Sequence, residues 1–240
     1  MIEDALHYPR DDDDWTRTVL IGGILSLLGA LVVPTILVLG YLVRVLERTM
    51  HGDEHPPAFD EWGDMLVDGV KAFAITLAYG LVPAVLAVVV VAGSILPFTV
   101  VEGPGAAGTA AGGLGLVVLL VGGLLALVTA LVAAYVVPAA IAALAETGEV
   151  TAGFSVSRLR PALLSGTYAI AWLWAFAVVV GAGLLTGALN AIPIIGFVIG
   201  GFVGFYAAVS AYYIVGRAWG DHRGLEPAEP GETPVEGSTV

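Results

Sequence analysis

From Leu114 to Ala145 the chain carries no charged residue at all. A bilayer core is crossed by about 20 apolar residues in a helix, and this run is longer. Val70–Leu96, Gly166–Leu189 and Ile194–Trp219 also exceed that length. A water-soluble domain is about 45–50% apolar and about 25% charged. Here 58% of the residues are hydrophobic and 12% are charged, too little polar surface to cover a soluble core. Leu114–Val132 also lacks the alternation that a barrel strand of about 10 residues requires. The expected fold is all-α: a polytopic membrane protein with five to six membrane helices.

The remaining segments punctuate these runs. Residues 1–17 are polar, with an acidic run at Asp11–Asp14 before Trp15, and lack the basic start and apolar core of a cleavable signal. Two shorter apolar pieces follow, Thr18–Val33 and Thr35–Leu46, separated by Pro34. Proline breaks helix interiors, so 18–46 is read as one kinked span, a short hairpin or a re-entrant loop. A helix over Thr18–Val33 rises only about 24 Å, less than a core of about 30 Å. Residues 47–60 form a polar linker, Pro97–Gly113 a Gly/Ala/Pro-rich loop, Glu146–Ser165 a second polar linker and Asn190–Pro193 a tight turn. Residues 221–240, rich in acids and proline, read as a disordered cytoplasmic tail.

Pro56–Phe73 is the longest polar interruption. With Asp60 as a cap, Trp62, Met65, Leu66, Gly69, Val70 and Phe73 share one helical face, and Asp60, Asp64, Asp68 and Lys71 the other. That pattern fits a helix at the membrane–water interface, or the first turns of the next span packed on a neighbour. Trp62, Phe59 and Gly69 are expected to fix its depth.

Three weak internal matches point to repetition. Gly22 follows Trp15 by seven residues, as Gly69 follows Trp62; Gly29–Pro34 resembles Gly187–Pro193; Phe59-Asp60 resembles Phe154-Ser155. The expected organisation is one membrane domain over 1–220, made of hairpins at about 11–50, 58–145 and 153–219, each with an interfacial amphipathic lead-in. Charge agrees. All nine basic residues, Arg10, Arg17, Arg44, Arg48, Lys71, Arg158, Arg160, Arg217 and Arg223, fall outside the proposed turns. By the positive-inside rule this puts both termini in the cytoplasm.

Gly196, Gly200, Gly204 and Ala208 recur every four residues, as do Gly122, Ala126, Ala130 and Ala134. Small residues so spaced let helices approach closely. The first ridge is the candidate contact with a second copy or a membrane partner, or within the chain. Trp172, Trp174, Tyr212 and Tyr213 read as packing or interface residues.

No charged residue lies in the middle of a span, where one would be a functional-site hypothesis by default. Thr76, Ser94, Thr129, Thr186 and Ser210 are expected to bond back to their own helices. His51 and His55 are four apart, but Gly52 and Pro56 disfavour the helix that would pair them on a metal. Glu146 and Glu149 look like isolated linker acids. No catalytic, cofactor-binding or metal-binding residue is assigned and no cofactor is expected. The chain has no cysteine, hence no disulfide or thiolate site. The net charge of −12 leaves no basic face for nucleic acid; it suits a high-salt, halophilic setting where repulsion is screened.

The stretches Ala5–Arg10 with Asp14-Trp15, Gly40–Val45 and Pro57–Trp62 resemble an uncharacterised family of membrane proteins common in halophilic archaea, the domain of unknown function 4013. The resemblance implies a multi-pass membrane protein and carries over no catalytic residue. The expected function is a non-enzymatic scaffold or accessory subunit of a membrane assembly, with the lipid bilayer as partner. The alternative is a passive or facilitative transporter of a small, mostly uncharged solute.

Overall fold

The structure is a computed structural model that describes residues 2–10, 15–29, 31–100 and 106–225. It is all-helical, with no strand among the described residues. The helices are α1 (Ile2–His7), α2 (Trp15–Leu27), α3 (Val32–Met50), α4 (Trp62–Val100), α5 (Ala106–Val117), α6 (Gly123–Thr147), α7 (Val156–Leu163), α8 (Gly166–Leu189) and α9 (Pro193–Arg223). A wider π turn, Val118–Gly122, joins α5 to α6. Four helices are long and apolar enough to cross a membrane: Trp62–Leu96, Gly112–Thr147, Gly166–Leu189 and Ile194–Arg223. At 13 residues α2 rises only about 20 Å.

Two compact units are present, residues 1–72 with 139–240, and 73–138. All nine basic residues belong to the first; the only charged residue in the sequence of the second is Glu102.

In the first unit α9 is the central helix, packed against α8 and α2, and beside it lies α3. The C-terminal half of α3 is buried on nearly every side: Tyr41, Leu42, Val43, Val45, Leu46 and Met50 are all core residues. The contacts are close because glycines line them. Gly40 faces the Met65 carbonyl of α4, and Gly69 of α4 faces the Ile36 carbonyl of α3, so that a Cβ at either would overlap backbone. On another side Gly216 meets the Thr49 side chain and Gly220 the Met50 carbonyl. These pairs set α4 antiparallel to α3 and α9 parallel to it. Gly22 and Gly23 of α2 abut Phe205 and Phe202, and Gly201 abuts Leu27, so α2 runs antiparallel to α9. Gly52, at φ 81, ends α3 in the left-handed conformation that favours glycine. The next two N–H groups return to the helix, Gly52 to the Thr49 carbonyl and Asp53 to that of Arg48, at 3.1 Å each.

Several expectations change. Residues 18–46 are neither one span nor broken at Pro34: α2 ends at Leu27 and α3 starts at Val32. Pro34 sits in the first turn of α3, where a missing N–H costs nothing. The 97–113 loop is mostly helix, because α4 continues through Pro97 to Val100 and α5 starts at Ala106; only 101–105 lie outside the described residues. Residues 62–73 are not a separate lead-in but the first turns of α4. Their buried face is Met65, Gly69 and Ala72, while Trp62, Leu66 and Val70 point outward. Glu61 occupies the cap position; its carbonyl accepts the first helical N–H groups, from Asp64 and Met65. The tail at 226–240 lies outside the described residues, and α9 itself continues to Arg223.

The ridges are also rotated from their expected faces. A strict four-residue spacing drifts by about 40° per step on a helix of 3.6 residues per turn. Gly196 packs against the Leu189–Asn190 backbone, and a Cβ on Gly200 would lie 2.6 Å from Thr186 Cγ2, but Gly204 faces open space. In the second unit a Cβ on Gly122 would lie 2.5 Å from Val90 Cγ2, while Ala130 and Ala134 have turned outward. Trp172 stacks on Phe176 with ring centroids 5.0 Å apart, as a packing residue should.

Ser94 and Thr129 bond back as expected, Ser94 Oγ to the Val91 carbonyl at 2.8 Å and Thr129 Oγ1 to the Leu125 carbonyl at 3.0 Å. Ser210 does not. Its hydroxyl is fully buried with no hydrogen-bond partner among the described residues. A buried hydroxyl without a partner carries its whole desolvation cost. Ser210→Ala is therefore expected to leave stability unchanged or raise it by about 1 kcal/mol. Thermal unfolding in detergent tests this; a loss of the same size would show that the hydroxyl is bonded.

Candidate functional site

The polar groups of the first unit gather at one end. There the 51–61 linker and the C-terminal ends of α3, α6 and α9 come together. Arg217 Nη1 donates to the Gly52 carbonyl at 3.3 Å, and Tyr8 Oη to the His55 carbonyl at 3.3 Å. The end of α2, where Leu27 is level with Gly201, and the 190–192 turn lie toward the other end.

A recess of about 670 Å³ opens at the polar end. α3 contributes Arg44, Glu47 and Arg48 to its lining. The linker adds His51, Asp53, Pro57, Asp60 and Glu61, and the start of α4 adds Asp64 and Asp68. Arg44 organises it. One guanidinium nitrogen donates to the Asp60 carboxylate and carbonyl at 3.0 Å each; the other donates to the Glu61 carboxylate at 3.2 Å and carbonyl at 3.3 Å. The Arg44 side chain is 13% exposed, but both carboxylates are about two-thirds exposed, which limits the ion pairs to about 1 kcal/mol. The carbonyl bonds matter more for shape. They hold the turn in which Glu61 takes φ 46, a left-handed conformation costing a non-glycine residue about 1–2 kcal/mol.

Phe59 plugs the same turn into the core, stacked on Tyr41 with centroids 4.3 Å apart. Phe59 and Gly69 thus anchor the segment as expected, whereas Trp62 remains half exposed. The two histidines do not converge. His51 Nδ1 donates to the Glu47 carbonyl at 2.7 Å, while the His55 ring lies 3.4 Å from Asp53. Among the described residues no group of three or more His, Asp or Glu is placed to hold a metal ion. With six carboxylates against two arginines and a histidine, the recess is net acidic. It repels anionic headgroups, and Arg44 and Arg48 are engaged in shaping the linker.

A second cluster escaped the sequence. Glu146, read as an isolated linker acid, is the hub of the polar end. Its carboxylate lies 2.7 Å from Arg223 Nη2 and 3.2 Å from Arg158 Nη1, and accepts the Trp219 indole N–H at 3.0 Å. It ties the end of α6 to α7 and α9. An available signal was its position: an acid in the last turn of a helix opposes the macrodipole and needs cations nearby. Tyr8 was missed too. It is buried against Tyr213, with ring centroids 4.5 Å apart, and burial pushes its phenol well above the ordinary tyrosine range.

Residues 23–191 match the model of the family described as protein of unknown function (DUF4013). The chain belongs to the DUF4013 family. No curated protein and no solved structure matches it. The DUF4013 match begins inside α2 and stops in the turn before α9. Gly40–Val45 and Pro57–Trp62 lie within it, and the Ala5–Trp15 stretch lies before it. The Arg44 recess therefore belongs to the matched part. The Glu146 hub combines two matched residues, Glu146 and Arg158, with two on α9 beyond the match, Trp219 and Arg223.

Proposed function

We propose that this DUF4013 protein is a non-enzymatic scaffold or accessory subunit of a membrane assembly. One observation carries the proposal: the most apolar window of Gly112–Thr147 is 0% buried and that of Trp62–Leu96 is 11% buried. Helices so bare are solvated by lipid or covered by other helices. Gly204 and Ala208, the half of the α9 ridge that α8 does not use, are the proposed contact for a second copy or a partner. Ser94 and Thr129, bonded within their own helices, offer no polar path, which favours a scaffold over a carrier.

The first unit is proposed to face the cytoplasm of the cell membrane with its linker-bearing end, where the arginines gather, both termini included. The first hairpin is re-entrant in this arrangement. The end of α2 is level with Gly201, so the hairpin stops about 12 Å short of the α8–α9 turn. One membrane domain over residues 1–220 completes the arrangement. The acidic composition points to a halophilic archaeal setting. In that case a purified sample keeps its fold in molar KCl and loses it in dilute buffer; greater stability in dilute buffer contradicts it.

Copurification from native membranes in mild detergent tests the function. A stoichiometric partner or homo-oligomer supports it. A clean monomer together with small-solute flux above that of empty vesicles would replace it with the passive transporter.

A further inference from the structure

We propose that α7 lies in the headgroup layer of the bilayer and that Arg160 binds the phosphodiester of an acidic phospholipid. The inference rests on the chain crossing a bilayer as proposed above. Connectivity places α7 at a membrane surface. It occupies the link between Gly112–Thr147 and Gly166–Leu189, two helices long and apolar enough to span.

Its orientation is fixed by what it buries. Leu159 and Ala162 are core residues, so the opposite face is presented outward. That face carries Val156, Arg160 and Leu164 at successive four-residue steps. Val156 and Leu164 are 73% and 74% exposed, and Phe154 just before the helix is 44% exposed. Two branched aliphatic side chains flanking an arginine on the outer face of a short amphipathic helix match the headgroup–acyl boundary. There the aliphatic groups enter the acyl region and the guanidinium reaches back to phosphate.

The two arginines of α7 have different tasks. Arg158 is held by Glu146 at 3.2 Å. Arg160, two residues on and exposed, has no ion pair among the described residues. The nearby acids are engaged elsewhere: Glu146 with Arg158, Arg223 and Trp219, and Glu149 with Thr151 Oγ1 at 3.3 Å. A guanidinium left with unused donors beside apolar side chains suits bidentate binding of a lipid phosphate.

The test uses the full chain in phosphatidylcholine vesicles containing phosphatidylglycerol. The chain has no cysteine, so nitroxide labels on Val156→Cys, Leu164→Cys, Glu149→Cys and Val88→Cys report single sites. Contact with oxygen and with an aqueous nickel chelate gives depth. The expected result is Val88→Cys deep in lipid, Val156→Cys and Leu164→Cys at the boundary, and Glu149→Cys in water. Val156→Cys and Leu164→Cys as accessible to nickel as Glu149→Cys would overturn the proposal while leaving the spans intact. An aqueous Val88→Cys would overturn the spans as well. In the same vesicles Arg160→Gln should lower the preference for phosphatidylglycerol over phosphatidylcholine by about fivefold, and Arg160→Lys should restore much of it. An unchanged preference in Arg160→Gln overturns the assignment of an acidic phospholipid to Arg160.

Discussion

Gly40→Leu should destabilise the first unit by about 3 kcal/mol, the upper end of what forcing volume into a packed contact costs. The clash is with backbone, the Met65 carbonyl of α4, and not with a side chain that can rotate away. Gly69→Leu should cost a similar amount against the Ile36 carbonyl. Because both glycines serve one contact, the double variant should lose less than the sum. Gly63→Ala and Gly80→Ala are the controls. Both lie in α4 with nothing within 4 Å of a built Cβ, and helix propensity alone predicts a gain of about 0.5–1 kcal/mol for each. Unfolding in detergent, followed by helical circular dichroism, measures all five. Wild-type stability in Gly40→Leu would mean that α3 and α4 are not in backbone contact.

The second large effect is expected at Glu146. Glu146→Ala removes the carboxylate shared by Arg158, Arg223 and the Trp219 indole. It leaves two guanidiniums facing each other and a donor without an acceptor. A fully buried pair loses about 3–5 kcal/mol when one partner is deleted. The two arginines here are about one-third exposed, so screening brings the expected cost to about 2 kcal/mol. Glu146→Gln keeps an oxygen for Trp219 and should lose less. Glu149→Gln, two residues beyond the end of α6 and with its carboxylate bonded to Thr151 alone among the described residues, should lose almost nothing. Equal stability of the three variants would contradict the hub.

The contrast between the two acids shows where the sequence stops being informative. Glu146 and Glu149 differ by three positions and look alike as letters. Only folding brings Arg223, far away in the chain, to one and not the other. Long spans were legible because hydrophobicity over about 20 residues is a sum that local context cannot overturn; Gly166–Leu189 was read with both ends in place. Boundaries set by Pro34 and Pro97 were misread. Proline is harmless in a first helical turn, and lipid-facing helices tolerate it where neighbouring groups compensate. α3 was the least legible element. Its close packing depends on Gly69 of α4 and on Gly216 and Gly220 of α9, none of which belongs to either proposed ridge. Arg44 looked like one of nine cytoplasmic charges; its role in the recess appears only when Asp60 and Glu61 fold back over it.

The claim on which the rest depends is that this DUF4013 protein crosses the membrane with the linkers of its first unit on one face and the α8–α9 turn on the other. Single cysteines at Glu54, Glu149 and Ala191, in a chain without cysteine of its own, can be labelled with an impermeant maleimide in sealed vesicles of known orientation. The account predicts labelling of Glu54→Cys and Glu149→Cys from the cytoplasmic side only, and of Ala191→Cys from the opposite side only. Labelling of all three from the same side would contradict it.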